Sequence, residues 1–136
     1  MEVKEKKMYP RIAPRCIYEI KENEIFVFGS NLEGFHGGGA AYSAYRHFGA
    51  EWGVGAGPTG HCYAIPTMHG GIPQIAPYVR QFIDYAREHP ELTFLVTRIG
   101  CGIAGFTDGE IAPLFKECAL LENVYLPQTF WEVIER

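Results

Sequence analysis

The sequence predicts an α/β fold: a mixed, mostly parallel sheet with helices on both faces, in one domain spanning 1–136. Three observations predict it. Short apolar runs alternate with segments of helical periodicity, in the order strand, helix, strand, helix, strand, helix, strand, which places helices over both faces of a parallel sheet. The 136 residues are 47% hydrophobic and 21% charged, enough for one domain with a sizeable core. The 16 glycines are confined to two stretches, 12 between Gly29 and Gly71 and four between Gly100 and Gly109. Glycine is costly inside helices and strands and useful where backbone turns sharply or meets a ligand, so the two stretches read as two walls of one site.

The elements follow in order. Residues 1–16 form an extended N-terminal segment, in which Lys4, Lys6 and Lys7 sit among Glu2 and Glu5 as a solvated tail. Residues 17–20 are a possible first strand. Ile25-Phe26-Val27-Phe28 is a buried strand stopped at Gly29. Ala40, Ala41, Ala44, Tyr45 and Phe48 recur at helical spacing, which predicts a helix from about Gly39 to just before Gly49. Residues 50–60 are too glycine-rich to assign. Cys62-Tyr63-Ala64-Ile65 is a second buried strand, closed by Pro66. Ile75, Val79, Phe82, Ile83 and Ala86 mark an amphipathic helix with Arg80, Asp84, Arg87 and Glu88 on its polar face, stopped by Pro90. Leu92 to Ile99 is a third strand. Thr107-x-x-Glu110 is a capping box before a helix carrying Ile111, Leu114, Phe115 and Cys118 on one face. Residues 123–127 are a last short strand.

Composition excludes several classes. The net charge is −4 and no basic stripe exists, so a broad nucleic-acid surface is not expected. No apolar run reaches the ~18 residues of a membrane span. No apolar signal segment opens the chain, which predicts a cytoplasmic protein with free thiols at Cys16, Cys62, Cys101 and Cys118. Without a C-x-x-C or a paired-histidine motif, no metal site is expected, and no cofactor. The sequence assigns no oligomeric state.

In a parallel sheet, ligands bind beyond the carboxyl ends of the strands. Gly29-Ser30-Asn31 follows one strand and Gly100-Cys101-Gly102 another, so both loops open onto the same rim. Gly37-Gly38-Gly39 runs into a helix N-terminus, where unpaired N–H groups and the helix dipole attract an anion such as a phosphate. Named nucleotide motifs do not fit. Phe35-His36 replaces the Lys-Ser/Thr of a P-loop, and Tyr42 stands where the third glycine of G-x-G-x-x-G is required.

Phe26-Val27-Phe28-Gly29-Ser30-Asn31 with Gly37-Gly38-Gly39-Ala40-Ala41 resembles the strand–Asn–GGG–helix opening of macrodomains. Thr97-Arg98-Ile99-Gly100-Cys101-Gly102-Ile103-Ala104-Gly105 resembles their second ligand loop. Its R-I-G-C-G-I string is most similar to the class that includes the terminal ADP-ribose protein glycohydrolases, and Tyr63-Ala64-Ile65-Pro66-Thr67 sits where that class has a strand between the loops. The resemblance runs from about Ile25 to Leu126. It implies a three-layer α/β/α sandwich that binds ADP-ribose or a related nucleotide metabolite. It implies that Gly37, Gly38 and Gly39 line the diphosphate and distal ribose, with Asn31 near that ribose. It also implies that Gly100, Cys101, Gly102, Ile103, Ala104 and Gly105 form the facing phosphate loop. Gly29, Ser30 and Thr67 join the ligand-binding set at the strand ends. Phe106 either packs on a ribose or belongs to the core.

The sequence departs from that class where catalysis is concerned. Ala104 stands where the glycohydrolases carry Asp, and Thr67 and Met68 stand where they carry Lys. Ala40 and Ala41 replace the acid that another macrodomain class has after its triple glycine. The remaining acid–base candidates are His36 and His69 in glycine-rich loops and Asp108 after the second loop, with His36 and Asp108 the proposed catalytic pair. Asp108 reads better as a first-turn helix acid. Cys101 is the best nucleophile candidate, with Arg98 available to lower its pKa, but reads better as inert. Three functions stay open: a binder of ADP-ribose or a relative, a hydrolase of ADP-ribosyl linkages or phosphorylated nucleotide metabolites with a rearranged catalytic set, and a non-nucleotide interaction domain.

Overall fold

The computed structural model describes Tyr9 and residues 11–135. The lysine tail, and with it much of the expected segment 1–16, lies outside the described residues. The elements are β1 (Glu24–Ser30), α1 (Gly39–His47), β2 (Gly57–Thr59), β3 (Cys62–Pro66), α2 (Ile72–Glu88), β4 (Thr93–Val96), α3 (Asp108–Ile111), a 3₁₀ run (Ala112–Leu120), β5 (Val124–Tyr125) and α4 (Gln128–Ile134). The five strands form one mixed sheet in the order β2-β3-β1-β4-β5. β1 pairs in parallel with β3 and β4, β4 in parallel with β5, and β2 antiparallel with β3.

Alternation along β1 separates two hydrophobic clusters, because successive side chains of a strand point to opposite faces. Phe26 and Phe28 pack with Ala41, Ala44 and Phe48 from α1 and its end. Val27 packs with Ile75, Val79, Phe82 and Ile83 of α2, Phe115, and Phe130 and Trp131 of α4. The chain thus passes from β1 to β3 by way of α1 on one face, and from β3 across β1 to β4 by way of α2 on the other. β1 is the switch point, and the crevice at its carboxyl end is where such sheets bind ligands.

The structure corrects the expected elements in five places. Residues 17–20 are not a strand; the N-terminal segment pairs earlier, through a parallel bridge between Ile12 and Leu126, and Ile17 and Ile20 pack on the α1-side cluster. Residues 50–60 contain β2, an antiparallel edge strand. β4 ends at Val96 rather than Ile99, because the Thr97 hydroxyl donates to Val27 O (2.8 Å) and Ile99 N to Thr97 O (2.7 Å), which bends the chain into its loop. The helix after the capping box is α-helical for four residues only and continues as a 3₁₀ run; Pro113 lacks the N–H that an α-helix needs there. Finally, Gln128–Ile134 form a helix, α4, after the last expected strand. Pro127, a favoured residue at a helix start, followed by Phe130, Trp131 and Ile134, was its signal.

Candidate functional site

The parallel register aligns Ser30 of β1 with Pro66 of β3, so the loops after β1, β3 and β4 leave the sheet from one edge. They close around a cleft of about 510 Å³. Gly29 shows how tightly they converge. A Cβ there would lie 3.4 Å from Thr67 Oγ1, 3.5 Å from Gly100 N and 3.6 Å from Ile99 Cγ2. Thr67 is buried at this junction, with its N–H on Ser30 O at 2.9 Å, and the Ser30 hydroxyl donates to Gly55 O.

Most of the expected ligand-binding set lines this cleft: Gly29, Ser30, Asn31, Gly37, Gly38, Gly39, Thr67, Gly100, Cys101, Gly102, Ile103 and Ala104. The loops meet across it at Gly38, whose Cβ would lie 3.6 Å from Ile103 Cδ1. Gly37, Gly39 and Gly102 have open space where a side chain would stand. Gly100 adopts φ +78°, and a Cβ there would press to 2.9 Å from Ile111 Cδ1, so only glycine fits.

The N-terminus of α1 has no side-chain cap and no acid in its first turn. The contrast with α3 is direct. There Thr107 Oγ1 accepts from Glu110 N at 3.2 Å, and Glu110 Oε1 accepts from Thr107 N at 3.0 Å. At α1 the N-cap is Gly38, which lines the cleft with Gly39, Ala40 and Ala41, and no side chain satisfies the donors that a helix start leaves unpaired.

Four expected site residues lie elsewhere. His36 is fully buried beside the α1-side core, edge-on to Phe28, with Nε2 donating to Glu51 O at 2.9 Å and Nδ1 without a hydrogen-bond partner. Its ring does not line the cleft, because the sheet-side aromatic packing takes it inward. Asp108 is also outside the lining. Its carboxylate accepts from Arg98 Nε (3.1 Å) and Nη2 (2.8 Å) and from Thr129 Oγ1 (3.0 Å), clamping the second loop to α4. Gly105 and Phe106 complete that loop behind the cleft. Gly105 N bonds Gly102 O at 3.0 Å, Phe106 N bonds Gly100 O at 2.8 Å, and the Phe106 ring packs on the larger core cluster. The expected pair His36 and Asp108 is therefore not brought together at the cleft. His69 is taken up as well, through Nε2 to Gln74 O at 2.9 Å and an edge contact with Tyr78.

The cleft is also lined by Phe35, Ala40, Ala41, Met68, Thr97, Arg98 and Ile99, none of them in the expected set. Arg98 and Thr97 sat inside the quoted loop string; Phe35 carried no local signal. Of the lining residues, only Arg98 and Cys101 are titratable. Burial pushes the Cys101 thiol up to about 11, and the neighbouring Asp108 carboxylate adds to that more than Arg98 takes away. Cys101 is thus a poor thiolate, contrary to the activating role considered for Arg98. Arg98 instead holds the Asp108 carboxyl below its ordinary 3.8, chiefly by its hydrogen bonds.

That shift has a measurable consequence. A carboxyl whose folded pKa is depressed stabilises the fold at neutral pH, and the contribution is lost as pH falls through the folded value. Melts of the wild type and Asp108→Asn should therefore differ by a constant amount down to about pH 5 and converge below about pH 4. A gap that stays unchanged to pH 2 would refute the ion pair.

Every cysteine among the described residues is a free thiol, no group of three or more metal-ligating side chains occurs among them, and no described helix is long and apolar enough to cross a membrane. Comparison of the chain with protein-family models, curated proteins and solved structures finds no match.

Proposed function

We propose that this cleft binds ADP-ribose or a related nucleotide metabolite, holding its phosphates through backbone N–H groups of two glycine-rich loops on a macrodomain-like, three-layer α/β/α sandwich. The observation that carries the reading is the α1 N-terminus. It is capped only by glycine and opens on a cleft whose opposite wall, Gly100 to Ala104, includes two further glycines. Oriented N–H groups and the helix dipole favour an anion, and the missing side chains let it approach.

Binding is favoured over hydrolysis. General acid–base work needs a proton carrier at the reacting atoms. His36 is packed away, Asp108 is committed to Arg98 and Thr129, and Ala104 presents a methyl group to the cleft.

Thermal-shift measurements with ADP-ribose, ADP, AMP and NAD test the reading. A ligand at 100 times its dissociation constant stabilises by about 2.7 kcal/mol. ADP-ribose is expected to raise the melting temperature, and ADP-ribose release from a mono-ADP-ribosylated protein is expected to show no multiple turnover. No shift with any of the four would reject the binding reading, and sustained turnover would make the protein a hydrolase.

A further inference from the structure

We propose that Arg98, held flat by Asp108, is the face on which the base of the bound nucleotide stacks; this rests on the reading of the cleft as a nucleotide site. The strand order sets the direction of the ligand. β3 and β4 flank β1 on opposite sides. Neighbouring strands lie about 4.8 Å apart, so β3 and β4 stand about 10 Å apart across the rim. Asn31 leaves β1 toward the β3 side. A Cβ at Gly55 would strike Asn31 O and Leu32 O, the Ser30 hydroxyl donates to Gly55 O, and Gly55 leads into β2, which pairs with β3 at the sheet edge. The resemblance sets Asn31 by the distal ribose, and the phosphates of the proposed ligand lie between the α1 N-terminus and Gly100 to Ala104. The base, on the far side of those phosphates, falls at the β4 end, where Thr97 and Arg98 line the cleft.

Arg98 keeps 53% of its side chain exposed, yet its guanidinium is not free to swing. Nε and Nη2 donate to the two oxygens of the Asp108 carboxylate at 3.1 and 2.8 Å, and Thr129 Oγ1 donates to the same carboxylate at 3.0 Å. A two-point contact fixes the plane of the group as well as its place. Asp108 also offsets the charge, so the pair offers a phosphate little net attraction. What remains for a ligand is a flat face. Guanidinium groups stack on aromatic rings, and every base has such a face. A planar group fixed before the ligand arrives loses little freedom on binding, so its stacking energy appears as affinity. Asp108 is on this account a positioning residue for Arg98, and not a proton carrier.

The test compares base-bearing with base-free ligands by calorimetry. A ring laid on a guanidinium that it partly desolvates gains about 5- to 30-fold in affinity. Arg98→Lys keeps the charge and can still pair with Asp108, but has no plane. It is expected to lose that factor for ADP and AMP while leaving the affinity for inorganic pyrophosphate and ribose 5-phosphate unchanged. A second measurement uses the wild type alone. In its NMR spectrum the Arg98 Nε–H proton should move upfield with ADP, from the ring current of the base above it, and should not do so with pyrophosphate. Unchanged ADP affinity in Arg98→Lys, an equal loss for pyrophosphate, or no ADP-specific upfield shift overturns the stacking face while leaving the phosphate site standing. Absence of binding by every phosphate-bearing probe overturns both.

Discussion

Gly38→Glu is expected to abolish the ADP-ribose thermal shift while leaving the protein folded. Gly38 has φ −157° and ψ 165°, extended backbone that any residue adopts. Its Cβ would make ordinary contact with Ile103 Cδ1 at 3.6 Å. The substitution therefore adds no backbone strain, and a carboxylate at a helix start stabilises by about 0.3–1 kcal/mol. The same carboxylate stands where the ligand's phosphates are proposed to sit. Like charges brought together in a binding site cost several kcal/mol, so affinity should fall by at least ~100-fold. The ligand-free melting temperature should hold or rise slightly while the response to ADP-ribose disappears. A folded variant that still shows the wild-type shift would remove the α1 N-terminus from the site.

The second large effect is on stability. Gly34 adopts φ +71°, and a Cβ there would lie 2.3 Å from Gly53 C and 2.4 Å from Val54 N. Those are backbone atoms, which cannot rotate aside. Gly34 O also accepts from Gly53 N at 2.8 Å, so two loop segments cross here in direct contact. Gly34→Ala combines a left-handed backbone penalty of about 1–2 kcal/mol with overpacking of about 1–3 kcal/mol. At roughly 3.5 °C per kcal/mol for a chain of this size, the melting temperature should drop by about 10 °C. A melting temperature within 2 °C of wild type would show that the two loops separate at little cost.

These two glycines show how differently a sequence speaks of its own site. The cluster of glycines at strand ends was legible because a strand's apolar run and the loop that stops it are local patterns. What distinguishes Gly34 from Gly38 was not. One is demanded by a neighbour 19 positions away, at Gly53, while the other has extended backbone and only an ordinary contact with Ile103, and nothing within a few residues separates the two.

The same division runs through the whole chain. The alternation of Phe26, Val27 and Phe28, the periodicity of Ile75 through Ala86, and the Thr107–Glu110 capping box were determined by the sequence alone, because each depends on backbone period or on a bond three residues away. Tertiary structure decided the rest. β2 becomes a strand only because β3 offers it an edge, and α4 is anchored by burying Phe130 and Trp131 against the α2-side core. His36 and Asp108 are proton-carrier candidates in the sequence because histidine and aspartate near a loop are chemically able to be, although Asp108 reads better as the first-turn helix acid that it is in α3. Their roles were set by partners distant in sequence: the carbonyl of Glu51 and the ring of Trp52 for one, Arg98 and Thr129 for the other. A side chain's titration and reach depend on which groups desolvate and pair with it, and that is a property of the folded surroundings rather than of the residue or its neighbours in the chain.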